Sequence, residues 1–144
     1  VLDGGGEVTG VIPSGLVKME VAFEGLPDLR VVDSMHERKA LMADLADGFI
    51  ALPGGLGTIE EIFEVLTWAQ LGIHEKPCGF LNICGYYDHL IRFLEGAVGE
   101  KFIRADHQSM VLVDEQPERI LEQFGRYDPP KVDKAKWILS LRNT

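Results

Sequence analysis

Pro53-Gly54-Gly55-Leu56-Gly57-Thr58-Ile59-Glu60-Glu61 follows an apolar run, Phe49-Ile50-Ala51-Leu52, and opens a segment with strong helical periodicity. The order predicts a buried strand, a glycine turn and a helix start. Glycines leave backbone N–H groups uncovered, and the first turn of a helix adds unpaired donors with a partial positive charge, so the stretch is suited to holding a phosphate without a lysine. Two glutamates are expected within one turn of that anion, which points to chemistry on a phosphorylated small molecule such as a nucleotide. A Walker loop is excluded because Gly57-Thr58 lacks the lysine, and a dinucleotide fingerprint is excluded because Glu60 stands where a glycine is required. The bland alternative is a tight strand-to-helix turn, with Glu60 and Glu61 serving the helix dipole.

Working outward, apolar runs and amphipathic segments alternate. Strands are expected at Glu7 to Ile12, Leu29 to Val32, Gly48 to Leu52, Gly79 to Ile83 and Met110 to Val113. Helices are expected from Ser14 to about Phe23, and over Met35 to Ala46, Ile59 to Leu71, Tyr86 to Val98 and Pro117 to Phe124. Apolar strands without polar alternation, separated by helices, imply an α/β fold with a mostly parallel sheet covered on both faces. Ligands bind such sheets at the carboxyl ends of the strands, where Pro53 to Thr58 falls. Val1-Leu2-Asp3-Gly4-Gly5-Gly6 resembles a helix end with a glycine stop, so earlier elements, and part of any ligand pocket, are expected to be missing. Tyr127 to Lys131, with its paired prolines, reads as an extended tail.

A chain of 144 residues, 46% hydrophobic and 26% charged, suits one domain, residues 1–144, with a sizeable core. Its net charge of −9, without a basic stripe, argues against a nucleic-acid partner. Neither a membrane span nor a signal peptide is legible. Cys78 and Cys84 would stand about 20 Å apart on an extended strand, beyond disulfide reach, and are expected to be buried free thiols, as in a cytoplasmic protein. His36, His74, His89 and His107 are scattered without ligand spacing, so no metal site is expected.

Ser34-Met35-His36-Glu37-Arg38-Lys39 begins with a capping box, in which Ser34 accepts from the third helical amide and Glu37 reaches back to Ser34. At 100° per residue, Met35, Leu41, Met42 and Leu45 share one side of that helix and Arg38 falls near the middle of the stripe. A guanidinium there must snorkel or meet an anion, either a carboxylate that it merely clamps or the Glu61 and phosphate region. On the glycine-led helix, Ile59, Ile62, Phe63, Leu66 and Ala69 form the main apolar stripe; Glu60 lies on the solvated side and Glu61 beside Val65 and Trp68. A lower dielectric there would raise the Glu61 pKa and suit it to acid–base work. Val65, Trp68 and the apolar residues around Tyr86 and Tyr87 exceed one core stripe, which suggests either a homodimer contact or a thick core.

The two motifs, Ser34 to Lys39 and Pro53 to Glu61, resemble in order and spacing the signatures of the LONELY GUY family, the cytokinin riboside 5'-monophosphate phosphoribohydrolases, many of which carry an old label of lysine decarboxylase. The similarity extends through Leu66 to Gly72, Lys76-Pro77, Leu81-Asn82 and Gly85-Tyr86-Tyr87-Asp88. The resemblance implies a Rossmann-like three-layer fold, a homodimer, no cofactor, and cleavage of AMP or an N6-substituted AMP to free base and ribose 5-phosphate. It implies Arg38 and Glu61 as the catalytic pair, Gly54, Gly55, Gly57 and Thr58 as the phosphate holders, and Met35, Lys39 and Glu60 as further substrate-binding residues. Members usually begin with a strand and a glycine-rich stretch that do not precede Val1 here. The decarboxylase label has no support in the residues, because a pyridoxal enzyme needs a Schiff-base lysine in a cofactor setting and Lys39 offers none. A carrier that binds a nucleotide without hydrolysing it is the alternative from another class.

Overall fold

A computed structural model describes residues 1–17 and 25–130, so the expected helical continuation to Phe23 and the tail residue Lys131 lie outside the described residues. The chain divides into two compact units, Val1–Ala46 and Asp47–Thr144.

The first unit opens with a 3-10 turn, Leu2–Gly4, closed by Gly5 at φ 76°, which matches the expected glycine stop. Strand β1, Thr9–Pro13, and strand β2, Asp28–Val32, pair in parallel, with Thr9 opposite Asp28 and Pro13 opposite Val32. A one-turn helix, α1, spans Ser14–Val17. Helix α2, Met35–Leu45, starts where the capping box placed it, with the Ser34 side chain accepting from the Glu37 amide at 3.1 Å. The box closes one residue further out than expected, because the Glu37 carboxylate accepts from the Asp33 amide at 2.8 Å rather than from Ser34. The predicted stripe on α2 is not a core face. Met35, Met42 and Leu45 remain exposed, and no residue of the helix is fully buried, since α2 packs on a sheet of two strands among the described residues.

The second unit is built on strand β3, Phe49–Ala51, strand β4, Cys78–Leu81, and strand β5, Val111–Asp114, in the spatial order β3-β4-β5. Both pairings are parallel, so each connection is a helical crossover. Helix α3, Leu56–Leu71, joins the first pair; a 3-10 turn, Ile83–Gly85, helix α4, Asp88–Gly99, and a short helix α5, Ala105–Gln108, join the second; helix α6, Pro117–Gly125, follows β5. Strict alternation therefore fails at α4 and α5, where two helices run in succession.

All four residues of β4 are buried, as expected of a central parallel strand. Successive residues of a strand face opposite sides, and Gly79 and Phe80 show what covers each. A Cβ on Gly79 would come within 2.9 Å of Ile120 and 3.2 Å of Phe124, so α6 lies against that face. On the other face the Phe80 ring meets Phe63 of α3 at 6.5 Å and Tyr87 at 4.8 Å between centroids. Helices on both sides of a parallel sheet make the three-layer α/β arrangement expected of the sequence. The core cluster joins Ala51, Ile62, Val65, Cys78, Phe80 and Tyr87, with Trp68 packed against it. Val65, Trp68 and Tyr87 thus belong to a thick core, which removes them as evidence for a contact between copies.

Candidate functional site: the glycine turn after β3

Helix α3 begins at Leu56, three residues before the expected Ile59. Its first backbone bond runs from the Ile59 amide to the Gly55 carbonyl at 3.1 Å, which leaves the amides of Leu56, Gly57 and Thr58 ahead of the helical ladder. Gly55 occupies the N-cap and offers no side-chain cap, so no N-cap oxygen closes the donor face. Among the described residues a Cβ on Gly55 or Gly57 would meet nothing within 4 Å, whereas a Cβ on Gly54 would lie 2.2 Å from Thr58 Oγ1. Gly54 is required for close packing under Thr58; Gly55 and Gly57 keep space open in front of the amides.

The earlier helix start moves both glutamates out of the first turn. Glu60 and Glu61 are the fifth and sixth residues of α3, roughly 5 Å further along the axis than the first-turn amides. Glu60 is exposed, as its position on the solvated side predicted, and Glu61 is half-buried on the helix that carries the core residues Ile62 and Val65.

The turn is held from the end of β4, which shares its sheet edge with the end of β3 because the two strands run parallel. Tyr86 Oη donates to the Gly54 carbonyl at 2.9 Å, and Tyr87 Oη donates to the Leu52 carbonyl at 2.5 Å. The two rings meet edge to face at 4.9 Å. Burial raises the Tyr87 pKa, with a further push from Tyr86 and an opposing backbone hydrogen bond at Gly54. Asn82, itself buried, fixes the base of this arrangement: its Oδ1 accepts from the Tyr87 amide at 2.6 Å and its Nδ2 donates to Asp88 at 2.8 Å. Sequence reasoning placed Tyr86 and Tyr87 in an apolar patch and at a helix start, and Asn82 within the family resemblance, but gave none of the three a role. The signal that finds them is their position just after the next parallel strand.

Cys84 corrects a second expectation. The chain leaves the sheet at Asn82, whose amide donates to the Asp114 carbonyl at 2.7 Å, and Cys84 stands exposed in the following turn at φ 52°. Cys78 is a buried free thiol as expected, its pKa pushed up to about 12 by burial.

The first unit carries Met35, Arg38 and Lys39, all on α2. Arg38 is half-buried, and its Nε donates to the Val11 carbonyl of β1 at 3.3 Å. A backbone carbonyl therefore meets part of the cost of placing a guanidinium on that face. Lys39 is half-buried beside it, and Met35 is exposed in the first turn.

Both signatures fall inside a match to the family described as "Possible lysine decarboxylase", which covers residues 1–124. The chain belongs to this family. It is 49% identical over 129 residues to the cytokinin riboside 5'-monophosphate phosphoribohydrolase LOG of Oryza sativa subsp. japonica, an alignment covering 90% of this chain and 53% of the rice protein. A cytokinin riboside 5'-monophosphate phosphoribohydrolase of Arabidopsis thaliana is 46% identical over 129 residues, covering 90% and 60% of the two chains. Another rice protein, named "Probable cytokinin riboside 5'-monophosphate phosphoribohydrolase LOGL2", is 46% identical over 140 residues, covering 95% and 57%. The chain spans about half the length of the curated relatives it matches. Among the described residues no helix is long and apolar enough to cross a membrane.

Proposed function

We propose that the protein hydrolyses the N-glycosidic bond of adenosine 5'-monophosphate or an N6-modified form of it, releasing the free base and ribose 5-phosphate. The observation that carries this reading is the open, uncapped start of α3 at Gly55 and Gly57, followed on the same helix by the half-buried carboxylate of Glu61. The names of the relatives supply the substrate class.

In this reading Gly54, Gly55, Gly57 and Thr58 bind the 5'-phosphate, and the binding energy places the sugar C1 for reaction. As the C1–N9 bond lengthens, positive charge grows on the ribose, and Glu61 stabilises it and orients a water molecule. The water oxygen bonds to C1, the base leaves with the electrons of the broken bond, and the proton released by water ends on the base. Arg38 is proposed as the cationic catalytic group that assists the departing base, with Met35, Lys39 and Glu60 completing substrate binding. No cofactor enters the step. The reading takes residues 1–144 as one nucleotide-binding domain that works as a cytoplasmic homodimer; the free thiols and the exposed apolar side of α2 support those two assignments.

Incubation with AMP and with N6-isopentenyl-AMP, followed by chromatography, tests the proposal. Equimolar base and ribose 5-phosphate are expected, with adenosine left intact because it lacks the phosphate handle. Tight AMP binding with no base released would replace the enzyme by a nucleotide carrier.

A further inference from the structure

The peptide between Gly54 and Gly55 is the most easily reversed part of the turn. Glycine on both sides permits a half-turn of the peptide plane at little steric cost. Reversal would matter, because a trans peptide sets its C=O and N–H on opposite sides and no cis peptide occurs among the described residues. With the Gly54 carbonyl pointing one way, the Gly55 N–H must point the other. A flipped peptide would present a carbonyl oxygen where an anion is to be bound.

Two phenols oppose that flip. Tyr86 Oη holds the Gly54 carbonyl at 2.9 Å, and Tyr87 Oη holds the Leu52 carbonyl at the end of β3. Tyr87 cannot drift, since it is buried, packed against the tilted Phe80 ring and tied through its own amide to Asn82. The Tyr86 ring rests edge-on against it, so the second phenol takes its place from the first. On the other side, the Thr58 side chain covers the Gly54 Cα.

We propose that Tyr86 and Tyr87 are positioning residues for the anion site, a latch that locks the Gly54–Gly55 peptide with its carbonyl toward Tyr86 and its N–H toward the ligand. The latch rests on the reading of Pro53–Thr58 as a phosphate cradle. It acts on affinity for the phosphate end and needs no contact between either phenol and the ligand.

The test is an amide NMR titration of the full chain with ribose 5-phosphate and, separately, inorganic phosphate, using wild type, Y86F and Y87F, with Tm measured for each. In wild type the Gly55 amide should shift on addition of either probe. In Y86F the affinity should weaken about three- to tenfold, the size of one lost neutral hydrogen bond. Its Tm should move by less than about 2 °C, as for an exposed position. Y87F keeps the ring in the core and should weaken affinity in the same direction. Wild-type binding through Gly55 with unchanged affinity in both variants would overturn the latch and leave the cradle standing. No response at Gly55 in wild type would overturn the cradle, and the latch with it.

Discussion

Replacing Gly57 by alanine separates a phosphate cradle from an ordinary turn, because the two readings predict opposite balances of stability and binding. Gly57 is the second residue of α3, is absent from the positive-φ positions, and has no atom of the described residues within 4 Å of where a Cβ would stand. The methyl group therefore strains nothing. Alanine is favoured over glycine in a helix by up to about 1 kcal/mol, and less near the end, so Tm should hold or rise by as much as about 3 °C. If the open space belongs to a phosphate, the same methyl displaces it and forfeits at least one charge-assisted hydrogen bond. Such a bond is worth about 1.5–3 kcal/mol, which corresponds to roughly ten- to a hundredfold weaker AMP binding. Calorimetric titration with AMP and a thermal melt on the same samples read both quantities. Gly54→Ala serves as the contrasting variant, since its Cβ would meet Thr58 and should cost about 1–3 kcal/mol of stability. A Gly57→Ala protein as stable as wild type with undiminished AMP affinity would refute the cradle and return the glycines to a merely structural role.

Glu61→Gln should retain AMP binding and lower base release at least about a hundredfold, as expected for a group acting on the transition state; single-turnover chromatography reads it, and unchanged release would remove Glu61 from the chemistry. His74 and His107 have pKa values lowered first of all by burial, and His107 Nε2 is buried without a hydrogen-bond partner among the described residues. The unfolded chain therefore takes up these protons first as pH falls below about 6.5, so stability is full above that pH and declines below it; urea midpoints at pH 7.5 and 5.5 that coincide would contradict this. Of the two cysteines, exposed Cys84 should react with a thiol reagent in the native protein and buried Cys78 only after unfolding, so two fast native thiols would place Cys78 wrongly.

The alternation of strands and helices was legible because β4 and its neighbours carry apolar residues on both faces, a pattern only a covered parallel sheet accepts. The start of α3 was misjudged because Gly55 and Gly57 signal a turn, yet the backbone at Gly57 is already helical and packing overrides its weak propensity. Arg38 was recognised as a misplaced charge, but its acceptor on β1 is a backbone carbonyl, which leaves no trace in a side-chain pattern. The part played by Tyr86 and Tyr87 depends on two strand ends lying side by side. Each residue is 32 or more positions from its acceptor, and only the β3–β4 register brings them together. Cys84 was expected to be buried because it adjoins the apolar run Gly79 to Ile83, whereas Asn82 ends β4 by turning its polar side chain onto Tyr87 and Asp88, which leaves Cys84 in an exposed turn.

A crystal structure with ribose 5-phosphate bound tests the central claim most directly. The account predicts the phosphorus within about 4.5 Å of the amide nitrogens at the start of α3, with the sugar C1 turned toward the Glu61 carboxylate. A phosphate bound elsewhere, or a ribose directed away from Glu61, would contradict it.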